Sequence, residues 1–274
     1  MQPPTIAQLV DMLPGFVPGE DRLFLAADGA ARARLDGIEY DSVYQPIFDA
    51  GHAGITQSLS ASPHDVAHFG DEIGFQGMLR RVDDPNSPTD PLSYIDDASH
   101  LVGMDRLSRM LHAINFFGAG RPSMLFLSVH EHLLKSVKYD HGRHFSELLL
   151  SLGLNPARIV IELPESAVAH RTFVGYLIKS YQSFGFKVAG NLPNAGQILS
   201  VPEMGRLDFI KISATNALRD GMVKPLVSYA ARLKTPLIFK HVDDATQFEM
   251  LLQFDVRFVQ GALFSPVPEP ALKN

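Results

Sequence analysis

Apolar residues in this chain fall into short β-branched runs separated by longer stretches with helical spacing. The clearest run covers residues 158–163, where Ile-Val-Ile shows no alternation with polar residues. Such a run is typical of a strand buried on both faces, and Pro164 cannot continue its ladder. Glu162 is therefore predicted near the carboxyl end of a buried strand, where parallel α/β proteins carry their ligand sites.

Eight runs of this kind alternate with several segments of helical periodicity, which predicts βαβ units and an α/β fold. Eight strands in one domain favour a closed TIM (β/α)8 barrel. An open doubly wound sheet is the alternative, but no Gly-x-Gly-x-x-Gly turn follows any run. The predicted strands are residues 43–48, 73–79, 124–130, 158–163, 186–190, 208–212, 236–241 and 257–259, and the predicted helices lie around residues 107–114, 145–152, 173–181, 218–233 and 248–252.

The residues before the first run divide into a short helix and an irregular segment. Thr5-Ile-Ala-Gln8 has the form of a capping box, and the apolar residues that follow share one helical stripe. A helix this short is marginal alone, so we expect its stripe to pack on the barrel or on a partner. Residues 14–42 show no clear period and are interpreted as a linker with room for one strand.

The chain is accordingly divided into a short N-terminal helical extension, residues 1–41, and a barrel domain, residues 42–270. The first two predicted strands lack a helix between them, and residues 49–72 are instead predicted to form a long loop. His52, His64 and His68 in this loop are interpreted as surface residues.

Composition narrows the classes of function. At 274 residues and 46% apolar content, the chain can form one large core. It contains no cysteine, which excludes disulfides and thiolate chemistry and is consistent with a reducing, cytoplasmic location. A net charge of −6 argues against nucleic acid as a partner. The sequence shows no signal-peptide pattern and no apolar run long enough to span a membrane, so we expect no membrane association.

Motifs at the ends of the predicted strands follow one another in a characteristic order. They are Tyr44-Gln-Pro-Ile47, Gly74-Phe-Gln-Gly-Met-Leu-Arg80, Leu127-Ser-Val-His130, Glu162-Leu-Pro-Glu165, Lys211-Ile-Ser213 and Gln260-Gly-Ala-Leu-Phe-Ser-Pro266. In this order they resemble the EAL domain family, bacterial phosphodiesterases that linearise cyclic di-GMP. The resemblance covers residues 44–268 and implies a modified TIM barrel whose first strand is antiparallel.

Members of that family hold two divalent metal ions, typically Mg²⁺ or Mn²⁺. In this sequence, most of the positions that supply the metal ligands carry other residues. The glutamate of the Glu-Ala-Leu motif falls on Gln76, and the asparagine after the third strand falls on His130. The paired aspartates of Asp-Asp-Phe-Gly fall on Asn191 and Leu192. The Gln76 amide is neutral and a poorer ligand for hard cations, and both metal-binding carboxylates of the second motif are absent.

Two further acids of the family pattern are also replaced. The aspartate of Lys-Ile-Asp falls on Ser213, and the first glutamate of Glu-Gly-Val-Glu falls on Lys240. The family residues that remain are Arg80, Glu162, Glu165, Lys211, Asp243 and Gln260. Because Glu162 is the single remaining metal ligand among them, the resemblance implies a vestigial site with no metal, no cofactor and no catalytic residue.

Other chemistry at these positions is less favoured. A zinc site at His130 and His132 has no obvious third ligand. Lys211 could form a Schiff base, but pairing with the carboxylate of Glu162 is the preferred interpretation. An acid at the mouth of a barrel needs a counter-charge, and we expect Lys211 or Lys240 to supply it. Lys240 is preferred because it replaces an acid that would repel Glu162.

These observations predict a catalytically inactive EAL-like domain that regulates by binding a protein partner. The alternative is a non-catalytic receptor for cyclic di-GMP, in which Arg80 and Gln260 would contact the ligand without metal. An active phosphodiesterase is the remote third reading. The sequence leaves open which protein is bound and whether the barrel forms a homodimer, as many relatives do.

Overall fold

A computed structural model describes residues 4–13, 22–35, 37–51, 71–85, 97–136, 140–265 and 268–272. The strands are β1 (Arg22–Leu25), β2 (Ala31–Leu35), β3 (Ile38–Asp49), β4 (Asp71–Arg81), β5 (Met124–Ser128), β6 (Ile159–Leu163), β7 (Lys187–Asn191), β8 (Phe209–Ser213), β9 (Leu237–Lys240), β10 (Phe258–Val259) and β11 (Glu269–Pro270). The α-helices are α1 (Ile6–Asp11), α2 (Ala98–Gly118), α3 (Glu131–Ser136), α4 (Arg143–Ser151), α5 (Glu165–Val168), α6 (Arg171–Ser183), α7 (Val201–Met204), α8 (Ala214–Arg219), α9 (Val223–Leu233) and α10 (Ala245–Leu252).

Strands β3 to β10 form a closed barrel of eight strands. Strands β4 to β10 pair in parallel with their sequence neighbours, whereas β3 pairs antiparallel with both β4 and β10 and so closes the ring. Each of the eight strands predicted from the apolar runs is present, and the antiparallel first strand implied by the resemblance is confirmed. The prediction of a modified TIM barrel is correct.

The barrel interior is filled by one residue from each of several strands. A compact apolar cluster contains Ile47, Phe126, Val160, Ala189, Phe209 and Ile238, which are nearly or fully buried. On β4 the corresponding residue is Gly74, where a Cβ atom would lie 2.6 Å from the Phe126 ring. Glycine at this strand position therefore leaves the space that the phenylalanine occupies.

The N-terminal helix packs on the barrel, as predicted. Thr5 and Gln8 form the reciprocal capping box, and the side chains of Ile6 and Leu9 are buried in the main core. The helix lies against the end of α2, where a Cβ atom at Gly118 would come within 2.6 Å of the Ile6 side chain. This close approach needs glycine at the last residue of α2.

The linker interpretation of residues 14–42 is wrong for the part that the structure describes. Strands β1 and β2 form an antiparallel hairpin, and β2 pairs with the first residues of β3, which begins five residues earlier than predicted. Ala31, Ala33 and Leu35 are buried in alternation with two arginines. Because alanine carries little apolar surface, this period-two pattern was too weak to identify a strand from the sequence.

Asn115 of α2 holds the hairpin in place. Its Oδ1 accepts from the Ala31 N–H at 2.8 Å, and its Nδ2 donates to the Ala31 carbonyl at 2.9 Å. The Asn115 side chain thus makes the two hydrogen bonds with the Ala31 backbone that a neighbouring strand would otherwise make. The domain division at residue 42 stays a prediction, although β3 runs across it without interruption.

Some other predictions differ from the structure or concern residues outside the described ranges. The helical pattern at residues 218–233 is two helices, α8 and α9, and the short helices α3, α5 and α7 were not predicted. His52, His64 and His68 lie outside the described residues. None of the described helices combines the length and the apolar content needed to cross a lipid bilayer.

Candidate functional site

Four side chains from four strands form a closed ring of hydrogen bonds at the carboxyl-end mouth of the barrel. The Lys211 ammonium donates to Glu162 Oε1 and, at 3.2 Å, to Gln76 Oε1. The Gln76 amide donates to Ser128 Oγ at 3.3 Å, and Ser128 donates to Glu162 Oε2 at 3.1 Å. The ring is therefore closed through polar contacts of its own members.

The charged pair in this ring is buried. The side chains of Lys211 and Glu162 are 1% and 2% exposed. Burial lowers the pKa of Lys211 from its ordinary value, and the nearby Lys240 lowers it further, while the charge and hydrogen bond of Glu162 act in the opposite direction. The ammonium also lies over the ring of Phe126, 5.5 Å from its centroid. Lys211 is thus positioned as the counter-charge of Glu162.

Two further glutamines extend the ring toward β3. Gln260, which is 2% exposed, donates from Nε2 to Gln76 Oε1 at 2.7 Å and to Gln45 Oε1 at 2.8 Å. The orientation of all three amides follows from Lys211, because its ammonium requires the oxygen of Gln76. Gln76 Oε1 then accepts from Gln260, which turns the Gln260 amide nitrogen toward Gln45.

A second cation bridges the other side of the mouth. Lys240 Nζ donates to Asn191 Oδ1 at 3.0 Å and to Glu165 Oε1 at 3.2 Å. Asn191 in turn donates from Nδ2 to the Leu163 carbonyl at 3.1 Å. The prediction that one lysine pairs with Glu162 is confirmed, but the preference for Lys240 is wrong, since Lys211 makes that pair.

Strand register explains this correction. In the β8–β9 pairing, Lys240 is level with Ser213, two residues beyond Lys211. At about 3.3 Å per residue, its Cα lies about 6–7 Å nearer the opening. Its ammonium consequently contacts the residues at the end of β7 and the start of α5.

Histidines line the rim of the same cavity. His130 donates its backbone N–H to Asp105 Oδ1 at 2.9 Å, and its Nδ1 accepts from the His132 N–H at 3.3 Å. The rings of His130 and His132 stack with centroids 5.3 Å apart. This arrangement places any proton of a neutral His130 on Nε2. His241 has a left-handed backbone with φ of 61°, and burial lowers its pKa.

Three predicted site residues lie elsewhere. Arg80 forms a bidentate pair with Asp41, at 3.1 and 2.7 Å, on the part of the sheet that extends beyond the mouth. Ser213 is the N-cap of α8. Asp243 accepts from the Ala262 N–H at 3.0 Å and does not line the cavity.

Sequence analysis also missed partners of the site. Gln45 belongs to the first motif, yet its role as acceptor for Gln260 depends on barrel closure. Asp105, on α2, is 1% exposed and paired with Arg109 at 2.9 Å, and it fixes the backbone of His130. Its signal was a row of polar residues at helical spacing, namely Asp105, Ser108, Arg109, His112 and Asn115, within a helix otherwise rich in apolar residues.

The mouth opens into a cavity of about 680 Å³. It is lined by Gln45, Gln76, Met78, Ser128, Val129, His130, Glu131, Glu162, Pro164, Glu165, Ser166, Asn191, Lys211, Lys240, His241 and Gln260. A second cavity, of about 600 Å³, lies between α3 and the start of α6 and shares Glu131 and Ser166 with the first. The formal charges of the acidic and basic residues that line the two cavities nearly cancel.

The oxygens at the mouth do not fit the pair of divalent ions that the resemblance implies. Both oxygens of Glu162 and the oxygens of Gln76 and Asn191 already accept hydrogen bonds, three of these four from an ammonium. Within the described ranges, no three acidic or histidine side chains converge in a metal-binding arrangement. Hard cations prefer several anionic oxygens, which this donor set lacks.

A closed eight-stranded barrel with one antiparallel strand and a polar mouth places the chain among modified TIM-barrel domains. A model of the EAL domain matches residues 78–267, well over half of the chain. The chain belongs to the EAL domain family. A comparison with curated proteins found no match.

Solved structures share this fold. Klebsiella pneumoniae BlrP1, as a manganese and cyclic di-GMP complex, is similar with a TM-score of 0.65 and 18% identity, over 86% of this chain and 57% of that chain. The EAL domain of Mycobacterium smegmatis DcpA gives 0.61 and 17%, over 85% and 94%. The FimX EAL domain from Pseudomonas aeruginosa, bound to cyclic di-GMP, gives 0.62 and 16%, over 84% and 90%.

Proposed function

We propose that this chain is a catalytically inactive EAL barrel that acts as a regulatory protein-binding module in bacterial signalling. The observation that carries the proposal is the closed ring of Lys211, Glu162, Ser128 and Gln76. Its members satisfy one another, so the mouth keeps a stable structure without any bound ion. With the family's ligand acids replaced and Glu162 paired, the residues that would activate water are missing.

The direct test of inactivity is turnover. Purified protein incubated with cyclic di-GMP and Mg²⁺ or Mn²⁺ should give no linear product above a buffer blank, while an active EAL domain assayed in parallel should convert the substrate. Metal-dependent product formation that scales with protein concentration would contradict the proposal.

A non-catalytic receptor for cyclic di-GMP is the alternative. It is favoured by the open 680 Å³ cavity and by EAL structures, such as that of FimX, that contain this ligand. Against it, donor groups of the two residues expected to hold the ligand already have partners within the protein. Arg80 directs two donors of its guanidinium to Asp41, and Gln260 gives both amide hydrogens to other glutamines. We therefore favour protein binding over the receptor role.

Calorimetry separates the two functions. Titration of cyclic di-GMP without metal should release no saturable heat from the wild-type protein. Saturable binding by the wild-type protein that is weakened in Lys240→Met, a cavity-lining change, would instead support the receptor, and a further loss in Arg80→Met would assign Arg80 to the ligand contact.

Protein binding is tested in two stages. Tagged protein should retain a specific partner from a lysate of the source bacterium, and that partner, once purified, should form a complex of defined stoichiometry by analytical ultracentrifugation. Failure of every purified candidate to bind would contradict the protein-binding role while leaving the absence of turnover intact.

A further inference from the structure

Lys240 connects three separate elements at the mouth. It extends from the end of β9, and its ammonium contacts Asn191 at the end of β7 and Glu165 at the start of α5. The Lys240 side chain is 18% exposed, whereas that of Glu165 is 50% exposed. The ammonium therefore lies inside the rim, with its carboxylate partner nearer to solvent.

The two lysines of the mouth influence each other. Both line the same cavity, and the pKa of Lys211 is lowered first by burial and further by the neighbouring charge of Lys240. Each is held by its own carboxylate, Lys211 by Glu162 and Lys240 by Glu165. The two ammonium groups together carry the charge of one divalent cation, and they direct their hydrogens at the oxygens that such an ion would need.

We infer that Lys240 is a built-in cation that excludes divalent metal ions from the mouth of this barrel. The oxygens of Glu165 and Asn191 would otherwise face the cavity as acceptors. An ammonium among them adds both charge repulsion and competition for the same lone pairs. Replacing the Lys240 side chain by a carboxylate should convert the part of the mouth formed by Glu165 and Asn191 into a cation site.

This inference concerns the same mouth as the proposed function and rests on it in one respect, since both start from the replacement of the family's ligand acids. The test uses Mn²⁺ as the probe and reads thermal unfolding and the Mn²⁺ electron paramagnetic resonance signal. Neither measurement depends on activity.

Wild-type protein should show no Mn²⁺-dependent change. Lys240→Glu should bind Mn²⁺, and its Tm should rise by about 3–5 °C for each tenfold increase in free Mn²⁺ above the dissociation constant. The double variant Lys240→Glu with Glu165→Gln should lose that response. Lys224→Glu, an exposed lysine on α9, makes the same change in net charge and should remain unresponsive.

Two results would overturn the inference. One is Mn²⁺ binding by the wild-type protein, which requires no variant to be folded. The other is a folded Lys240→Glu that ignores Mn²⁺. If Lys240→Glu folds solely with Mn²⁺ present, that outcome supports the inference; if it never folds, Lys240→Asp is titrated instead, with the same expectations.

The result is distinguishable from a failure of the proposed function. Mn²⁺ binding by the wild type without turnover would remove this inference and leave an inactive protein-binding barrel. Turnover of cyclic di-GMP by a protein that binds no Mn²⁺ would remove the proposed function and leave the role of Lys240 standing.

Discussion

Two levels of the same barrel interior differ in chemistry although the same strands build them. The lower level is the apolar cluster that includes Val160 and Phe209, and the upper level is the polar mouth. On β6, Val160 lies in the lower level and Glu162 at the mouth, and on β8 the corresponding residues are Phe209 and Lys211. In each case the apolar residue and the polar one are two positions apart and point to the same face. The side chains of Val160, Glu162 and Lys211 are almost equally buried.

The difference is in what holds each level together. The lower level is stabilised by packing, which is additive over many weak contacts and insensitive to pH. The mouth is stabilised by mutual satisfaction of charges and hydrogen bonds, so each member depends on the others. Loss of one member should therefore cost more at the mouth, and the cost should depend on pH.

The strongest test of this contrast is Lys211→Met. Removing the ammonium leaves the Glu162 carboxylate buried and unpaired, and we expect a loss of about 3–5 kcal/mol in unfolding free energy. The loss should be smaller at about pH 5 than at about pH 8, because the stranded acid can take up a proton. Urea unfolding at both values measures it. Recovery in Lys211→Met with Glu162→Leu is the matched control, and a loss under about 1 kcal/mol would argue against the pair.

The counterpart at the lower level is Ile238→Ala. Ile238 is 0% exposed, and its truncation should leave a cavity that costs about 2–5 kcal/mol. Unlike the change at Lys211, this loss should be the same at both pH values. Leu199→Ala, at a residue 63% exposed, serves as the control with little expected effect. A pH-dependent loss for Ile238→Ala would break the distinction between the two levels.

A third prediction concerns a buried base, His112, that belongs to neither the lower level nor the mouth. His112 lies outside the barrel on α2, with its Nδ1 2.7 Å from Ser42 Oγ, and burial lowers its pKa from 6.5 to about 3. The unfolded chain therefore binds this proton first as the pH falls. The contribution of His112 to the unfolding free energy should be present in full above about pH 6.5. It should decline as the pH falls toward 3, by at most about 1.4 kcal/mol per pH unit.

His112→Asn is the variant that isolates this contribution. It should unfold more easily at neutral pH, because the side chain is fully buried, but with a shallower dependence on pH below about 6.5. Equal pH slopes for the two proteins in urea titrations would show that other groups dominate the acid response.

The smallest expected effect distinguishes two substitutions of Lys240. Lys240→Glu should be less stable than Lys240→Met by about 1 kcal/mol, because it sets a second carboxylate near Glu165. The half-exposed Glu165 limits the repulsion through solvent screening. Thermal unfolding in metal-free buffer compares the two. Identical melting temperatures would indicate that Lys240 is not electrostatically coupled to Glu165.

Much of this molecule follows from local sequence. The eight barrel strands were predictable because runs such as residues 158–163 are too apolar to lie at the surface. The short helix α1 was predictable from its capping box. The hairpin of β1 and β2 was not, since Ala31 and Ala33 give little contrast and the partner that clamps them, Asn115, lies 84 positions away.

The sequence by itself determined which chemical groups reach the mouth, namely Gln76, Glu162, Lys211 and Lys240 at strand ends. Tertiary structure alone decided how they pair. Two lysines on neighbouring strands are equivalent in sequence terms, but the register of β8 and β9 sets one of them two residues nearer the opening. Since a salt bridge requires contact within about 4 Å, that offset assigns Lys211 to Glu162 and Lys240 to Glu165.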